Sequence, residues 1–188
     1  SRKEWISFKT LRNKKSFYFP NCSDEKTSSF IMNNSKNYIK KKLGFDEKKF
    51  NLVCVANIME RKGQDILVDN FNRILNIIPN AILYLVGDDH SDFALKIKKK
   101  VIEKKYNNNI IFCGLKENAM EFIYAADIFV LPSRAEALPL VILEAMILNT
   151  PILASNVIYF STKHNQTMID KYMIALEKVF KIIAECEN

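Results

Sequence analysis

The sequence predicts an α/β protein with a parallel β-sheet covered by helices on both faces. Short apolar runs rich in β-branched residues alternate along the chain with longer amphipathic patterns, as in parallel strands joined by crossover helices. The chain has 188 residues, of which 48% are hydrophobic and 26% charged, an ordinary globular composition for one domain with its own core. We therefore expect residues 1–188 to form a single domain.

The predicted elements alternate in type along the chain. The predicted strands are residues 17–20, 51–56, 81–86, 110–113, 128–131 and 152–155, with a shorter candidate at 158–160. Apolar residues recur at helical spacing over residues 64–78, 91–105, 118–125, 140–148 and 166–185. Residues 22–35 are rich in Ser and Asn without periodicity, which predicts a loop. The chain thus divides into a lead-in strand, loop and helix (1–49), a core (50–157), and a last strand with a C-terminal helix (158–188).

Charge and cysteine content argue against several classes of protein. The net charge is +7, and the lysines cluster where helices would face solvent. No aromatic residue is interleaved within the lysine clusters at residues 40–42 and 96–100, so nucleic-acid binding is not predicted. No apolar run approaches the ~20 residues of a membrane span, and the chain start does not resemble a signal peptide. Cys22, Cys54, Cys113 and Cys186 form no CxxC pair, which is typical of reduced thiols in a cytoplasmic protein.

The most informative stretch is AADIFVLPSRAEALPLVILEAMILNTP at residues 125–151. A predicted strand is followed by a loop that carries Glu136, and a helix begins near Pro139, a residue suited to a first helical turn. Such a helix start favours a phosphate through its free N–H groups and its dipole. Glu136 and Glu144 are eight residues apart and can face one crevice, where they would accept hydrogen bonds from sugar hydroxyls. On spacing alone, two surface carboxylates remain the alternative.

This stretch, with the motifs around it, resembles the retaining glycosyltransferases of family 4 (group 1), which use nucleotide sugars. The resemblance covers residues 50–157 and is to the C-terminal, donor-binding half of their GT-B fold, a Rossmann-like three-layer unit. It implies that Glu136 contacts the transferred sugar and that Glu144 contacts the ribose. It also implies that the phosphates lie over the helix start, at Leu138, Pro139 and Leu140.

A second motif, VANIMERKG at residues 55–63, follows the first long strand at the end where ligands of open parallel sheets bind. In the family, an Arg and a Lys five residues later stabilise the leaving diphosphate. Lys62 matches the Lys, but Asn57 stands at the Arg position and supplies no charge, unless Arg61 or Arg134 substitutes. The resemblance therefore implies Lys62 and Glu136 as catalytic residues, and Asn57 and Arg61 as binding residues.

Two further motifs complete the expected site. In LVGDD at residues 85–89, Gly87 permits close backbone approach after a strand, and in the family this turn lines the nucleotide side of the cleft. After IIFCG at residues 110–114, the family's nucleobase packs near Leu115 and Lys116.

The acidic pair in the third motif raises the alternative of a metal site. Asp88 and Asp89 have His90 and Asp92 nearby, which is a sparse ligand set for a divalent cation. We therefore expect no metal and no cofactor. Asn149 replaces the family's glycine at the end of the following helix, and Asn tolerates the left-handed conformation that such a position needs.

The resemblance implies a hexosyltransferase-type enzyme of polysaccharide or glycoconjugate biosynthesis. Its partners would be a nucleotide sugar and an N-terminal acceptor domain that this chain lacks, so the chain alone should be inactive. That domain would also make any contact with the inner face of a membrane. The alternative, favoured by Asn57, is a catalytically silent sugar-nucleotide-binding or interaction domain of the same fold. A dinucleotide oxidoreductase is excluded because no GxGxxG follows a first strand. The family also has a longer segment where Val157 meets Ile158, so we expect a loop of about ten residues to be missing there.

Overall fold

The computed structural model describes residues 25–136, 139–154 and 157–159 of the chain. The strands are β1 (Phe50–Val55), β2 (Ala81–Val86), β3 (Ile110–Gly114), β4 (Ile128–Leu131), β5 (Ile152–Ala154) and β6 (Val157–Tyr159). The α-helices are α1 (Glu25–Met32), α2 (Lys36–Leu43), α3 (Gln64–Asp69), α4 (Phe71–Ile77), α5 (Asp92–Glu103), α6 (Ala119–Ala125) and α7 (Leu140–Ile147). A short 3₁₀ helix, Glu60–Lys62, precedes α3.

The strands form one sheet in the order β3-β2-β1-β4-β5-β6. Strands β1 to β5 pair in parallel, which confirms the predicted α/β class. The last strand differs from the predicted parallel arrangement, because β6 runs antiparallel to β5 with Ala154 opposite Val157. The loop expected at Val157 is not tested by this pairing and stays a prediction.

Both faces of the sheet carry helices, as predicted. Successive residues of a strand point to opposite faces, so Leu52 and Cys54 of β1 pack with α3, α4 and α5. Between them, Val53 packs on the other face with residues of α2 and α6. A third cluster joins Phe129 and Leu131 of β4 to α1, α6 and α7. The result is a three-layer, Rossmann-like arrangement.

The helix predicted over residues 64–78 is two helices that meet at Asn70. The Asn70 side chain donates a hydrogen bond from Nδ2 to Ile66 O at 3.0 Å, and its backbone N–H bonds the same carbonyl at 3.2 Å. Asn side chains compete with the backbone for helix carbonyls, which accounts for the end of α3 there. The other helices predicted within the described residues begin and end within two residues of their predicted bounds.

The loop predicted over residues 22–35 was wrong over most of its length, because Glu25–Met32 is helical. The helix has little apolar periodicity of its own. Its largest buried side chain is Ile31, which is 3% exposed and packs with Phe129 and Leu148. Tertiary packing of this kind stabilises short helices that local pattern does not reveal.

Several predictions lie outside the described residues. These are the strand at 17–20, the helix at 166–185, and the thiols of Cys22 and Cys186. Within the described part, Cys54 is buried as predicted, and burial raises its pKa to about 12. Across residues 25–136, 139–154 and 157–159, every helix is too short or too polar to span a bilayer.

Candidate functional site

The candidate site lies between the two neighbouring strands at which the order of strands across the sheet changes direction. Strands β1 and β4 are neighbours at the centre, and the chain proceeds outward from them in opposite directions, through β2 and β3 on one side and β5 on the other. The crevice at the carboxyl ends of such a pair is where open α/β sheets bind ligands. The loops that follow β1 and β4 carry Lys62 and Glu136, so the topology brings these two residues to that edge.

Lys62 and Glu136 are in direct contact. The Lys62 Nζ lies 2.6 Å from Glu136 Oε1, and the two side chains are only 16% and 18% exposed. Ser133 Oγ donates a 2.6 Å hydrogen bond to the same oxygen, and Arg61 Nη1 lies 3.6 Å from Oε2. Burial would raise the pKa of Glu136, but the hydrogen bonds from Lys62 and Ser133 outweigh it and hold the pKa below its usual value. Glu136 is therefore a carboxylate at neutral pH, surrounded by donors.

The loops after β1 and β4 pack against each other without room for a side chain. Gly63 has φ of 71°, and a Cβ added there would lie 2.0 Å from Pro132 O. Arg134 N donates to Arg61 O at 2.9 Å, and Arg61 Nη1 donates to Ala135 O at 3.0 Å. The glycine that follows Lys62 thus permits the contact that brings Lys62 to Glu136.

The loops after β1 and β2 meet at Gly87. Its φ is 146°, and an added Cβ would lie 2.4 Å from Ala56 O, so the close backbone approach expected from the sequence is present. The Asn57 side chain is exposed and takes part in this junction, because its Oδ1 accepts a 3.1 Å hydrogen bond from Asp88 N. The Asn57 Oδ1 therefore already has a hydrogen-bond donor within the protein.

Gln64, the first residue of α3, holds the loop after β1 in place through hydrogen bonds to its backbone. Its side chain is fully buried, and Nε2 donates to Asn57 O at 3.1 Å and to Ala56 O at 3.4 Å. Its Oε1 has no partner among the described residues. Sequence reasoning missed Gln64 because nothing in its immediate sequence indicates that a polar residue is buried there.

The start of α7 leaves its N–H groups without a side-chain cap. Pro139 is the N-cap residue and makes no capping hydrogen bond, and the Leu140 that follows is 42% exposed. Glu144 lies further along α7, where burial raises the pKa of its carboxyl. No hydrogen bond or ion pair to that carboxyl is present within the part of the chain that the structure describes. Leu138 lies outside the described residues, and Leu115, beyond the end of β3, is 77% exposed.

Arg134 was one of two residues expected to replace the family's missing Arg. Its guanidinium instead forms a two-point ion pair with Asp65, at 2.8 Å and 2.7 Å. Arg61 is the other, and its side chain is 53% exposed beside Glu136. Of the two, Arg61 is the cation that lies at the candidate site. Sequence reasoning did not single out Asp65 or Ser133, although Ser133 stands three residues before Glu136.

The acidic residues after β2 do come together. Ligand atoms of Asp88, Asp89 and His90 lie within 4.8 Å of one another. However, Lys98 Nζ already lies 2.7 Å from Asp89 Oδ2, and His90 is largely exposed. A cation at this position would have to compete with Lys98, so the geometry adds nothing to the case for a metal, and the expected absence of one stays a prediction.

The sheet order and the loops gathered at its centre define a class of domain, a Rossmann-like α/β domain with its ligand crevice at the centre of the sheet. Residues 35–174 match the sequence profile of the family described as "Glycosyl transferases group 1", and the chain belongs to this family.

Individual relatives agree with this assignment. The lipopolysaccharide core biosynthesis mannosyltransferase LpsB of Rhizobium meliloti (strain 1021) is 32% identical over 129 residues, which is 67% of this chain and 37% of LpsB. The crystal structure of WaaG, a glycosyltransferase involved in lipopolysaccharide biosynthesis, has a TM-score of 0.63 and 25% identity, with 72% of this chain and 36% of WaaG covered.

A third similar protein was solved with ligands. The crystal structure of Anabaena Alr3699/HepE in complex with UDP and glucose has a TM-score of 0.56 and 23% identity, with 70% of this chain and 34% of HepE covered. The matched region amounts to between 26% and 43% of the length of the first three curated relatives. The chain therefore spans less than half of these relatives.

Proposed function

We propose that this domain binds a nucleotide-diphosphate sugar and holds it for transfer to an acceptor with retained anomeric configuration. The observation that carries the proposal is the contact between Lys62 and Glu136, a cation and a carboxylate side by side at the switch point of the sheet. Membership of the group 1 family supports it. The similarity to HepE, which was solved with UDP and glucose, supports the choice of a nucleotide sugar.

Each residue of the site then has a chemical task. The uncapped start of α7 would bind the diphosphate through its N–H groups. Lys62 would stabilise the negative charge that develops on the diphosphate as the glycosidic bond breaks, and Glu136 would accept hydrogen bonds from the sugar. The carboxylate of Glu144, which has no partner among the described residues, would accept hydrogen bonds from the ribose. The nucleobase would lie near Leu115, on the side of the crevice lined by Gly87.

The ion pair between Lys62 and Glu136 gives donor binding a specific consequence. A diphosphate carries more charge than one carboxylate, so it would draw the Lys62 ammonium away from Glu136. Glu136 would keep its hydrogen bond from Ser133 and gain free acceptor capacity for the sugar hydroxyls. In this scheme, donor binding itself frees the Glu136 carboxylate to accept hydrogen bonds from the sugar.

The acceptor would be bound by a part of the protein that corresponds to the remainder of the longer relatives. GT-B chemistry takes place in a cleft between two halves, where closure aligns the reactants and excludes water. We therefore propose that the 188-residue chain binds donor without transferring its sugar. Slow donor hydrolysis by the chain alone is compatible with this proposal, whereas efficient transfer would contradict it.

A second candidate is a domain that binds the sugar nucleotide but no longer supports chemistry. Asn57 favours it, because an uncharged side chain stands at the Arg position and its Oδ1 is already bonded to Asp88 N. The two candidates agree on binding and differ in whether the longer protein turns over.

The test is a calorimetric titration of the chain with UDP, GDP, ADP and their glucose or mannose conjugates. The proposal expects one base to bind, and the sugar conjugate of that base to bind at the same site in competition with the diphosphate. Absence of binding by every nucleotide would refute both candidates. Sugar transfer by the longer protein with the preferred donor would then distinguish the enzyme from the silent domain.

A further inference from the structure

Arg134 joins the two loops that carry the candidate catalytic residues. It stands two residues before Glu136, and its partner Asp65 stands three residues after Lys62. The guanidinium contacts both carboxylate oxygens of Asp65, with Nη1 at 2.8 Å and Nη2 at 2.7 Å. Nη1 also donates a 2.6 Å hydrogen bond to Glu60 O. These contacts link the loop after β4 to the start of α3 and to the 3₁₀ helix.

The backbone makes the same connection in the same place. Arg134 N donates to Arg61 O at 2.9 Å, and Arg61 Nη1 returns a bond to Ala135 O at 3.0 Å. The contact of Gly63 with Pro132 O lies beside them. The separation between the Lys62 and Glu136 loops is therefore set by several bonds, and the Arg134–Asp65 pair adds a side-chain bond that does not involve Glu136 itself.

We propose that Arg134 is a positioning residue, which acts through Asp65 to hold the Lys62 loop against the Glu136 loop at the distance that the site requires. The inference rests on the proposed function and adds a residue to it. A planar guanidinium bound at two points fixes orientation as well as distance, which a lysine ammonium cannot do. The pair is partly exposed, at 42% for Arg134 and 21% for Asp65, so its contribution to global stability is small and its effect on the site is separable.

The competing role for Arg134 is that of a direct phosphate ligand in place of the family's Arg. The two roles predict opposite effects of changing Asp65. If Arg134 acts through Asp65, then removal of the Asp65 charge damages the site. If Arg134 binds phosphate, the same change frees its guanidinium, and binding is unchanged or tighter.

The first experiment is calorimetry on the 188-residue chain with UDP, GDP and ADP. Arg134→Gln and Asp65→Asn should each weaken binding of the preferred nucleotide about 5- to 10-fold, and the double variant should be no weaker than either single one. Arg134→Lys should recover only part of the loss. Asp69→Asn is the matched control, because it removes an exposed ion pair with Lys100 from the same helix, and it should leave the affinity unchanged.

The second measurement needs no nucleotide and reports on the geometry itself. Titration of the Glu136 carboxyl by ¹³C NMR should show its pKa rise in Arg134→Gln and in Asp65→Asn, because Lys62 and Arg61 are no longer held beside it. Asp69→Asn should leave that pKa where it is. A loss of stability alone would not move it.

The possible failures can be told apart. An unchanged or tighter affinity in Asp65→Asn, or an unchanged Glu136 pKa in both variants, would overturn the positioning role and leave the proposed function standing. If the wild-type chain binds none of the three nucleotides, the proposed function is wrong and the positioning role falls with it.

Discussion

The ammonium group of Lys62 lies 2.6 Å from Glu136 Oε1, although 74 residues separate them in the sequence. The contact joins the loop after β1 to the loop after β4, the two neighbouring strands at the centre of the sheet. It also holds a partly buried carboxylate in its charged form by placing a partly buried cation and the Ser133 hydroxyl against it. This contact and the residues around it lead to five predictions.

Glu136→Gln should destabilise the chain by about 1–3 kcal/mol at neutral pH, because the partly buried Lys62 loses its charged partner. The folded-state pKa of Glu136 lies below the usual 4.5. Its stabilisation is therefore fully present above about pH 5 and is lost as the pH falls through the lowered value. Urea unfolding of the wild type and of Glu136→Gln from pH 7 to pH 3 measures how the difference in their unfolding free energies changes with pH. A difference that stays constant down to pH 3 would contradict it, and Glu103→Gln, which removes an exposed pair with Lys99, is the control.

Glu144→Gln should weaken nucleotide binding by about 1.5–3 kcal/mol, as expected when a carboxylate acceptor for ribose hydroxyls is lost. Calorimetry with the preferred nucleoside diphosphate measures the change, and unchanged affinity would rule out the ribose contact.

The same variant should be more thermally stable than the wild type at pH 7. Burial raises the folded-state pKa of Glu144, so its charged form is unfavourable in the fold. This penalty is absent below the unfolded pKa and develops as the pH rises through the raised folded value. The difference in melting temperature should therefore shrink toward pH 4. A variant that is less stable than the wild type at pH 7 would show that an unseen partner holds Glu144.

Asn57→Arg should tighten nucleotide binding about 3- to 10-fold at low ionic strength, and much less at 0.5 M salt, because the added charge is screened. Asn57→Met is the control, since it loses the hydrogen bond from Asp88 N without adding charge. Equal affinities for the two variants at low salt would show that this position does not face the diphosphate.

Gly63→Ala should destabilise the chain by clearly more than about 1 kcal/mol and should also weaken nucleotide binding. The added Cβ would lie 2.0 Å from Pro132 O, so the Lys62 and Glu136 loops must separate. Gly44→Ala is the matched control, because Gly44 has a similar φ of 75° with no atom within 4 Å. Only the backbone penalty of about 1 kcal/mol applies there. Chemical unfolding of the two variants compares them, and equal losses would show that the loops adjust freely.

Within the described residues, local pattern in the sequence was enough to predict the strands and most of the helices. The apolar runs at β1, β2 and β4 are buried on both faces, so their composition alone indicates central parallel strands. Asn149 was expected to take a left-handed conformation at the end of α7, and its φ is 54°. The resemblance of the motifs around Lys62, Glu136 and Glu144 to those of the family also indicated the candidate site, because each motif is a short stretch of sequence.

The tertiary structure decided what depends on contacts between distant segments. No local signal shows that Glu25–Met32 is helical, since Ile31 is buried against residues of β4, α6 and α7, which are distant in the sequence. Nor does the sequence near Arg134 indicate that its guanidinium is bound to Asp65, 69 residues earlier. The antiparallel direction of β6 and the hydrogen bond between Asn57 and Asp88 N likewise could not be predicted from local sequence. Periodicity reports which residues one element buries, whereas the pairing of side chains across the sheet depends on which loops the strand order brings together.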